Sequence, residues 1–288
     1  MSRTKRGVAI DATGITDSEF ESFRDLFYAR TGILFKENKR YFVDKRLIDR
    51  IHKTGHQSFA DYFRYVRLAE SAHEFQILTN VMTVNETYFF RDDGHFKAMV
   101  HSMLDQIVAN KRKGEMIRIW SVPSSTGEEP YSIALYLLEY WPKLSDWNVQ
   151  IIASDINTEV LERCNKGIYS KHALRFVPQP LVRKYFAELA NGEYQINLAL
   201  RKSVNFFLGS ILDAKYQADV QHVDIIFCRN LLIYFDDVSR KQAVETLYGL
   251  LNPGGFVLLG SMESMSRISS RFQIQKIDSS LVYQKGLV

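Results

Sequence analysis

The chain has 288 residues and an ordinary globular composition, 46% hydrophobic and 24% charged, which excludes a disordered protein. Its formal net charge of +4 is too small to indicate nucleic-acid binding by itself, and no apolar run reaches the length of a membrane span. Cys164 and Cys228 form no closely spaced pair, which excludes a disulfide framework and a thiolate zinc site. The basic N-terminus is not followed by the apolar core of a signal peptide, so we expect a cytoplasmic protein.

Residues 16 to about 80 have the pattern of successive helices. The first helix begins at a capping box, because Thr16 is followed three residues later by Glu19, and it ends at Gly32. Apolar residues at helical spacing predict further helices over about 39–53, from about 58, and over about 72–81. No proline interrupts these segments, so the front of the chain is predicted to be all helical.

One face of the predicted helix over 39–53 is basic. Residues 36–53 contain seven Lys or Arg against three Asp or Glu, an excess equal to the net charge of the whole chain. The basic stripe consists of Lys39, Arg46, Arg50 and Lys53. Such a stripe fits either a solvated helix face or a surface for an acidic partner. His52 and His56 have i,i+4 spacing, but Gly55 ends the helix between them, so we predict no metal site there.

Beyond residue 115, short apolar runs alternate with helical stretches. The predicted strands are 116–120, 149–153, 223–228 and 255–259, and the predicted helices include 130–140, 158–166 and 238–251. Strands that alternate with helices form crossover units, so we predict an α/β fold with a mainly parallel sheet.

These patterns divide the chain into two domains. We predict an N-terminal helical domain over 1–84 with a linker to about 92, and an α/β domain over 85–288. Strand-like pieces interrupt the alternation within the second domain and predict a small antiparallel β appendage at about 186–208. No internal repeat or low-complexity tract is evident.

The turn after the first predicted strand carries the first chemical signal. Small residues lead to Gly127, and Pro130 stands where the first residue of the next helix is expected. Ligands of open α/β sheets bind over such turns, at the carboxyl ends of the strands. No Gly-Lys-Ser/Thr follows, and Glu128 and Glu129 would repel a phosphate, so this is not a phosphate-binding loop. Two interpretations of the turn stay open. Either it binds a ligand with a cationic centre and free hydroxyls, or its two glutamates only compensate the helix dipole.

The second predicted strand ends in a carboxylate. Asp155 follows the strand over 149–153, at the position where a carboxylate accepts hydrogen bonds from the hydroxyls of a nucleoside ribose. The alternative is an N-cap for the following helix, although Asn157 or Thr158 also suits that position.

The strand over 223–228 ends in Arg229 and Asn230, which we expect beside the other two loops. Cys228, the last residue of the strand, has no histidine in a recognisable partner position. A small buried thiol therefore suits Cys228 better than a nucleophile does.

Four segments of the chain stand out together, namely NETYFFR (85–91), TGEEPYS (126–132), ASDI (153–156) and IFCRN (226–230) continued by IYF (233–235). They resemble the signature segments of CheR-type methyltransferases, which act on chemotaxis receptors. Their order and spacing agree with that family over about residues 16–284. The resemblance implies a Rossmann-like class I methyltransferase sheet that binds S-adenosylmethionine, with an N-terminal all-helical domain and a small antiparallel β appendage.

The resemblance also implies a cofactor site and an acceptor site. The implied cofactor-binding residues are Asn85, Thr87, Arg91, Glu129, Asp155, Ser210, Ile211, Arg229 and Asn230. Arg91 and Tyr234 are the implied catalytic residues, near the methyl group and the acceptor. The implied substrate-binding residues are Arg46, Arg50 and Lys53. Two alternatives stay open: Asn85 and Thr87 as helix caps, and Arg91 with Tyr234 as a packing pair.

Two positions depart from the family pattern. The first loop has the sequence VPSS over 122–125, where many nucleoside-binding loops are rich in glycine, so its backbone approaches a ligand less freely. Ser210 stands where the family often has Asn or Asp. Its hydroxyl forms one hydrogen bond to the adenine end of the cofactor but not two at once.

The implied reaction transfers a methyl group from S-adenosylmethionine to glutamate side chains of chemotaxis receptors, giving glutamate methyl esters and S-adenosylhomocysteine. The implied partner is the acidic cytoplasmic helical bundle of these receptors, to which the enzyme is recruited at the inner membrane face without inserting. We expect a monomer that uses no metal and binds no nucleic acid. Two alternatives stay open: a methyltransferase that acts on RNA or a small molecule, and a non-catalytic signalling module with a methyltransferase-like fold.

Overall fold

The computed structural model describes residues 14–213, 220 and 222–287, and the chain forms two compact units. The helical unit comprises the chain up to Val84 together with the short segment Tyr234–Asp236. The α/β unit comprises Asn85–Ile233 and Asp237–Val288.

The return of Tyr234–Asp236 to the helical unit is not evident from the sequence. The N–H of Leu34 donates to the carbonyl of Tyr234 at 3.1 Å, and Ile33 forms an antiparallel bridge with Phe235. The hydroxyl of Tyr28 donates to Asp236 Oδ2 at 3.0 Å. Residues late in the chain therefore complete the front unit.

Four α-helices build the described part of the helical unit: α1 (Asp17–Thr31), α2 (Arg40–Lys53), α3 (Phe59–Arg67) and α4 (Ala72–Met82). The predicted capping box is confirmed, since the N–H of Glu19 donates to Thr16 Oγ1 at 3.3 Å and the N–H of Thr16 donates to Glu19 Oε2 at 2.9 Å. Gly32 ends α1 in the left-handed conformation, with φ 73°. The helices bury apolar side chains at the predicted spacing, among them Phe20, Phe23, Phe27, Val43, Leu47 and Ile51.

In the described part of the α/β unit, seven strands form one sheet in the order β6-β2-β1-β7-β8-β10-β9. The strands in chain order are β1 (Met116–Ser121), β2 (Asn148–Asp155), β3 (Ile168–Tyr169), β4 (Phe186–Glu188), β5 (Tyr194–Ile196), β6 (Val204–Leu208), β7 (Val223–Cys228), β8 (Leu251–Leu259), β9 (Phe272–Ile277) and β10 (Ser280–Lys285). The five strands β6, β2, β1, β7 and β8 pair with one another in parallel, whereas β10 pairs in antiparallel fashion with β8 and β9. The mainly parallel sheet and its four predicted strands are confirmed.

The helices described in the α/β unit are α5 (Gly94–Ala98), α6 (Leu104–Ala109), α7 (Glu128–Tyr140), α8 (Thr158–Lys166), α9 (Gln179–Tyr185), α10 (Leu198–Lys202) and α11 (Asp237–Leu250). A π-helical turn, Met99–Met103, joins α5 to α6. The predicted start of α7 at Pro130 is wrong, because the helix begins two residues earlier, at Glu128. Proline is tolerated as the third residue because the N–H groups of the first turn have no acceptor inside the helix.

The predicted β appendage at about 186–208 needs a correction. Strands β3, β5 and β4 do form a separate three-stranded antiparallel sheet, but β6 is an edge strand of the main sheet, parallel to β2. Strand β2 would otherwise end the sheet with unpaired backbone groups, and β6 also places Val204 and Phe206 against the main core. The small sheet is therefore an insertion in the crossover from β2 to β6.

Aromatic side chains fill the core between the main sheet and its helices. The ring of Phe96 stacks on Phe227 at 5.5 Å and on Tyr136 at 5.2 Å between centroids. Phe89 and Phe90 are also buried in this core. No helix among the described residues has the length and apolar content to cross a membrane.

Candidate active site

The carboxyl ends of β1, β2 and β7 lie side by side in the main sheet. Ser121, the last residue of β1, is opposite Ala153 of β2 and Phe227 of β7. Strand β1 is followed in the chain by β2 on one side and has β7 on the other, so the loops diverge here and leave a crevice. The three polar segments singled out in the sequence therefore meet at one edge of the sheet.

The turn after β1 depends on Gly127. Its φ of 97° lies in the left-handed region, and a Cβ here would stand 2.9 Å from the hydroxyl of Tyr169. Conformation and space both require glycine. The peptide before Pro123 is cis, and the N–H of Ser124 donates to the carbonyl of Ser154 at 2.8 Å, which ties the turn to the end of β2.

Asp155 is the last residue of β2, and its side chain is buried. Its Oδ2 accepts from the N–H of Ser125 at 2.9 Å, and its Oδ1 accepts from the N–H of Asn157 at 3.0 Å. Burial raises the pKa of Asp155 to about 6, although these backbone donors oppose the rise. Asn157 is the N-cap of α8, accepting from the N–H groups of Glu159 and Val160, so Asp155 is not needed for capping.

Glu129 and Arg229 form a buried ion pair at the same edge. Arg229 Nη1 donates to Glu129 Oε2 at 2.9 Å, and the arginine side chain is 2% exposed. The hydroxyl of Ser121 donates to Glu129 Oε1 at 2.8 Å. Burial raises the pKa of Glu129, and the Arg229 guanidinium opposes that rise. The Nε of Arg229 is buried with no hydrogen-bond partner among the described residues, which leaves one donor of the guanidinium unused within the chain.

Arg229 also holds the segment over 85–92. Its Nη2 donates to the carbonyl of Arg91 at 2.8 Å and to Asp92 Oδ2 at 2.7 Å. The Arg91 side chain points elsewhere, with Nη1 donating to the carbonyl of Glu86 at 3.0 Å. One buried guanidinium thus joins the start of the α/β unit to the turn after β1.

Asn85 and Thr87 belong to the same segment. The hydroxyl of Ser125 donates to the carbonyl of Asn85 at 3.1 Å, which brings Asn85 to the turn after β1. The helix caps on either side are Thr83, at the end of α4, and Asp93, at the start of α5. The alternative that Asn85 and Thr87 cap helices is therefore excluded.

Ser210 and Ile211 follow β6 and lie beside the end of β2. The N–H of Gly209 donates to the carbonyl of Asp155 at 3.0 Å. The hydroxyl of Ser210 accepts from the N–H of Leu212 at 3.2 Å, and Ile211 is buried. The structure thus brings these two residues to the same edge as Asp155.

Glu263 is a residue of this edge that the sequence reasoning missed. Its Oε2 accepts from the N–H groups of Asn230 at 2.7 Å and Gly260 at 2.8 Å, and its Oε1 accepts from Ile233 at 3.3 Å. Asn230 adopts the left-handed conformation, with φ 59°, which asparagine tolerates better than most other non-glycine residues. Burial raises the pKa of Glu263, and the backbone donors oppose it. The available signal was a carboxylate four residues beyond β8, comparable to Asp155, which stands just beyond the apolar run over 149–153.

Two protein-family models match this chain. The CheR methyltransferase SAM binding domain matches residues 85–281, and the CheR methyltransferase all-alpha domain matches residues 18–83. The chain belongs to the CheR methyltransferase family. Its class I methyltransferase sheet, all-helical N-terminal domain and small antiparallel sheet are the fold class that the sequence predicts.

Individual relatives match this methyltransferase over nearly its whole length. It is 51% identical over 271 residues to "Chemotaxis protein methyltransferase 2" of Vibrio cholerae, with 94% of each chain covered. It is 33% identical over 265 residues to "Chemotaxis protein methyltransferase" of Escherichia coli, covering 91% of this chain and 89% of that one. It is 30% identical over 270 residues to "Chemotaxis protein methyltransferase Cher2" of Pseudomonas putida, covering 92% and 97%.

The polar groups at the strand ends of this CheR methyltransferase fit S-adenosylmethionine. The cofactor carries ribose hydroxyls that donate hydrogen bonds and a cationic sulfonium, and the carboxylates of Asp155 and Glu129 lie at this edge. The unpartnered Nε of Arg229 supplies a donor. No group of three or more His, Cys, Asp or Glu suited to holding a metal ion occurs among the described residues.

Arg50 of the methyltransferase is not the free surface charge that the sequence predicts. Its Nε and Nη2 donate to the two carboxylate oxygens of Glu74 at 2.9 and 2.6 Å. Glu74 is buried and also accepts from the hydroxyl of Tyr62 at 2.5 Å. A carboxylate at this depth requires a paired cation, so Arg50 is held inside the helical unit.

The other two implied substrate-binding residues, Arg46 and Lys53, differ from each other. Arg46 lies with its guanidinium 3.5 Å from the ring centroid of Phe42, and its Nε donates to the carbonyl of Val81 at 2.6 Å. Burial lowers the pKa of Arg46. Lys53, at the end of α2, is exposed.

Tyr234 ends the 3₁₀ turn Leu232–Tyr234 that follows β7. Its carbonyl accepts from the N–H of Leu34, which places Tyr234 in the helical unit. The pairing of its hydroxyl with Arg91 at the methyl group stays a prediction.

Both cysteines are free and buried. Burial raises the pKa of the Cys164 and Cys228 thiols far above their ordinary range. Neither is a thiolate nucleophile at neutral pH, which supports the buried structural thiol favoured for Cys228.

Proposed function

We propose that this methyltransferase transfers the methyl group of S-adenosylmethionine to glutamate side chains of chemotaxis receptors, forming glutamate methyl esters and S-adenosylhomocysteine. The observation that carries the proposal is the match over 94% of both chains to a relative named chemotaxis protein methyltransferase. The all-helical domain is part of the family match, which favours a receptor substrate over RNA or a small molecule.

We place S-adenosylmethionine across the carboxyl ends of β1, β2 and β7. Asp155 accepts hydrogen bonds from the ribose hydroxyls, as carboxylates at the tip of the second strand of such sheets do. The other proposed cofactor-binding residues are Asn85, Thr87, Arg91, Glu129, Ser210, Ile211, Arg229 and Asn230. Glu129 and Arg229 have a second task, because their ion pair holds the turn after β1 and the segment over 85–92 in place.

A glutamate acceptor needs no general base. Its carboxylate has an ordinary pKa of about 4.3 and is ionised at neutral pH. When bound, S-adenosylmethionine supplies a methyl group on a sulfonium, whose sulfur leaves readily as the neutral thioether of S-adenosylhomocysteine. The task of the protein is therefore to align the acceptor and to hold its charge without neutralising it.

Arg91 is the cation that we place at the acceptor carboxylate. Its side chain donates to a backbone carbonyl, that of Glu86, and takes part in no ion pair with a carboxylate among the described residues. Its charge is therefore available to an anionic substrate. The hydroxyl of Tyr234 is the second group that we assign to the acceptor.

We assign the helical unit to receptor recognition and the α/β unit, from Asn85 onward, to cofactor binding and catalysis. Arg46 and Lys53 contact the acidic cytoplasmic helical bundle of the receptor, since opposite charges steer and orient such encounters. Arg50 contributes indirectly, by holding Glu74 inside the unit. The enzyme then works as a monomer in the cytoplasm, recruited to receptor arrays at the inner face of the membrane.

The first experiment measures binding of S-adenosylmethionine and S-adenosylhomocysteine to the purified protein by calorimetry. Asp155→Ala tests the ribose contact, and Glu159→Ala is the matched control, because it removes an exposed carboxylate four residues away on α8. We expect binding by the wild type and the control, and a loss of at least about tenfold in affinity for Asp155→Ala.

Methyl transfer to a purified receptor fragment and to bulk RNA is then measured with the same preparation. Alkali-labile methyl groups on the receptor alone support the proposal. Binding of the cofactor with methylation of RNA alone would show the RNA enzyme, and absence of cofactor binding would show a non-catalytic signalling module.

A further inference from the structure

A second basic segment lies in the α/β unit, and it is more strongly charged than the stripe on α2. Residues 163–187 contain six Lys or Arg and no Asp or Glu, whereas the whole chain has a net charge of only +4. The segment runs from α8 through the loop after β3 to β4. Such an imbalance indicates a surface for an anionic partner more strongly than scattered charges do.

Three side chains form a cationic and aromatic surface in this region, which we name the Tyr88 patch. It consists of Tyr88, Arg175 and Phe176. The Arg175 guanidinium lies 3.7 Å from the ring centroid of Tyr88 and 5.1 Å from that of Phe176, and the two rings are 5.3 Å apart. Phe176 is 58% exposed, and Arg175 is exposed as well.

The Tyr88 patch is continuous with the segment that carries Arg91. The N–H of Phe89 donates to the carbonyl of Ala173 at 3.0 Å, which fixes the loop before Arg175 to the residue after Tyr88. The Arg91 guanidinium lies 5.7 Å from the same Tyr88 ring. One aromatic ring therefore stands next to two guanidinium groups, one of which is the proposed contact of the acceptor.

Folding alone does not account for the patch. A cation over an aromatic ring modestly stabilises a protein surface, which explains the position of Arg175 on Tyr88. It does not explain an exposed phenylalanine beside that pair. Among the described residues, neither Arg175 nor the exposed Lys171 of the same loop forms an ion pair, so both charges are free to meet an anion.

We propose that the Tyr88 patch binds an acidic segment of the methyl-accepting protein, next to the glutamate that is modified. This inference rests on the proposed function, in which the acceptor is a carboxylate at Arg91. Arg175 and Lys171 meet neighbouring carboxylates of the substrate, and Phe176 covers its apolar side chains. The patch sets affinity for the protein substrate and takes no part in cofactor binding.

The test measures methylation of a receptor fragment by the full-length enzyme and three variants. Arg175→Glu reverses the charge, Arg175→Lys keeps the charge without the planar group, and Phe176→Ala removes the exposed ring. Arg183→Glu is the control, because Arg183 is exposed on α9 within the same acid-free segment and undergoes the same charge change. Affinity for S-adenosylmethionine is measured on every variant.

We expect Arg175→Glu and Phe176→Ala to raise KM for the receptor roughly tenfold, with kcat and cofactor affinity within about twofold of the wild type. Arg175→Lys and Arg183→Glu stay close to the wild type. The increase for Arg175→Glu shrinks in high salt, because exposed charges are screened.

Several results would overturn the inference. These are an unchanged KM for Arg175→Glu, an equal rise for Arg183→Glu, or a loss in Arg175→Lys that is accompanied by weaker cofactor binding. The second would show an effect of net charge, and the third a structural role for the guanidinium. A wild type that binds cofactor but leaves the receptor unmodified would overturn the proposed function, and this inference with it.

Discussion

At the scale of single residues, two opposing effects act on the pKa of Asp155. The N–H groups of Ser125 and Asn157 favour its charged form, whereas burial at the end of β2 disfavours that form more strongly. The result is a carboxyl with a pKa of about 6, nearer to neutral pH than that of an ordinary aspartate. Its protonation is therefore expected to be visible in ligand binding.

We predict that affinity for S-adenosylmethionine falls as the pH drops through about 6. A carboxyl with a raised pKa is protonated below that value, and a neutral carboxyl accepts the ribose hydroxyls poorly. Calorimetry at about pH 5 should therefore give an affinity roughly tenfold weaker than at about pH 7. Asp155→Asn should bind weakly at both values, and a wild type with no change across this range would speak against the assignment.

A second residue-scale prediction concerns Arg50 and Glu74. Arg50→Met leaves the buried Glu74 carboxylate without its cation, so we expect a loss of about 3 kcal/mol in the free energy of unfolding, measured in urea. Lys53→Met, on the same helix but exposed, should change it by less than about 0.5 kcal/mol. A fully stable Arg50→Met protein with a raised KM for the receptor would instead show that Arg50 contacts the receptor.

At the scale of secondary structure, local patterns predicted most elements and failed where partners are distant in sequence. The Thr16 capping box located the start of α1, and a run of apolar residues located β7 to the residue. The edge strand β6 was assigned to the wrong sheet, because its pattern does not say which strand it pairs with. Pro130 was also placed two helical positions too early, since proline suits any residue of the first turn.

The candidate site shows the same division. The carboxyl ends of β1, β2 and β7 were predictable, because polar residues stand directly after apolar strands. The partners of those residues were not. Glu263 lies 33 residues from the Asn230 N–H that it accepts from, and Arg229 lies 100 residues from Glu129. Only the folded chain brings such groups together.

Glu263 is predicted to position the loop between β7 and α11. Glu263→Gln keeps the size of the side chain but turns one oxygen acceptor into a donor that faces the N–H groups of Asn230 or Ile233. We expect roughly tenfold weaker cofactor binding and a loss of about 1–3 kcal/mol in stability. Met262→Ala, which changes an 85% exposed neighbour, is the control. Normal cofactor affinity in Glu263→Gln would show that the loop needs no such support.

At the scale of the whole molecule, the basic segments and the carboxylates of the candidate cofactor site lie in different parts of the chain. Its modest net charge conceals two basic segments, one on α2 in the helical unit and one over 163–187 in the α/β unit. The carboxylates of Glu129, Asp155 and Glu263, whose pKa values are raised by burial, lie instead at the carboxyl edge of the sheet. Basic surfaces suit an acidic protein substrate, and the acidic strand ends suit a cationic cofactor.

The most direct test of this account is mass spectrometry of a receptor cytoplasmic fragment after incubation with the enzyme and S-adenosylmethionine. We expect a methyl group on glutamate side chains, removed by mild alkali, and absent when the Asp155→Ala enzyme is used. Methylation of another residue type, of RNA alone, or of nothing at all would contradict it.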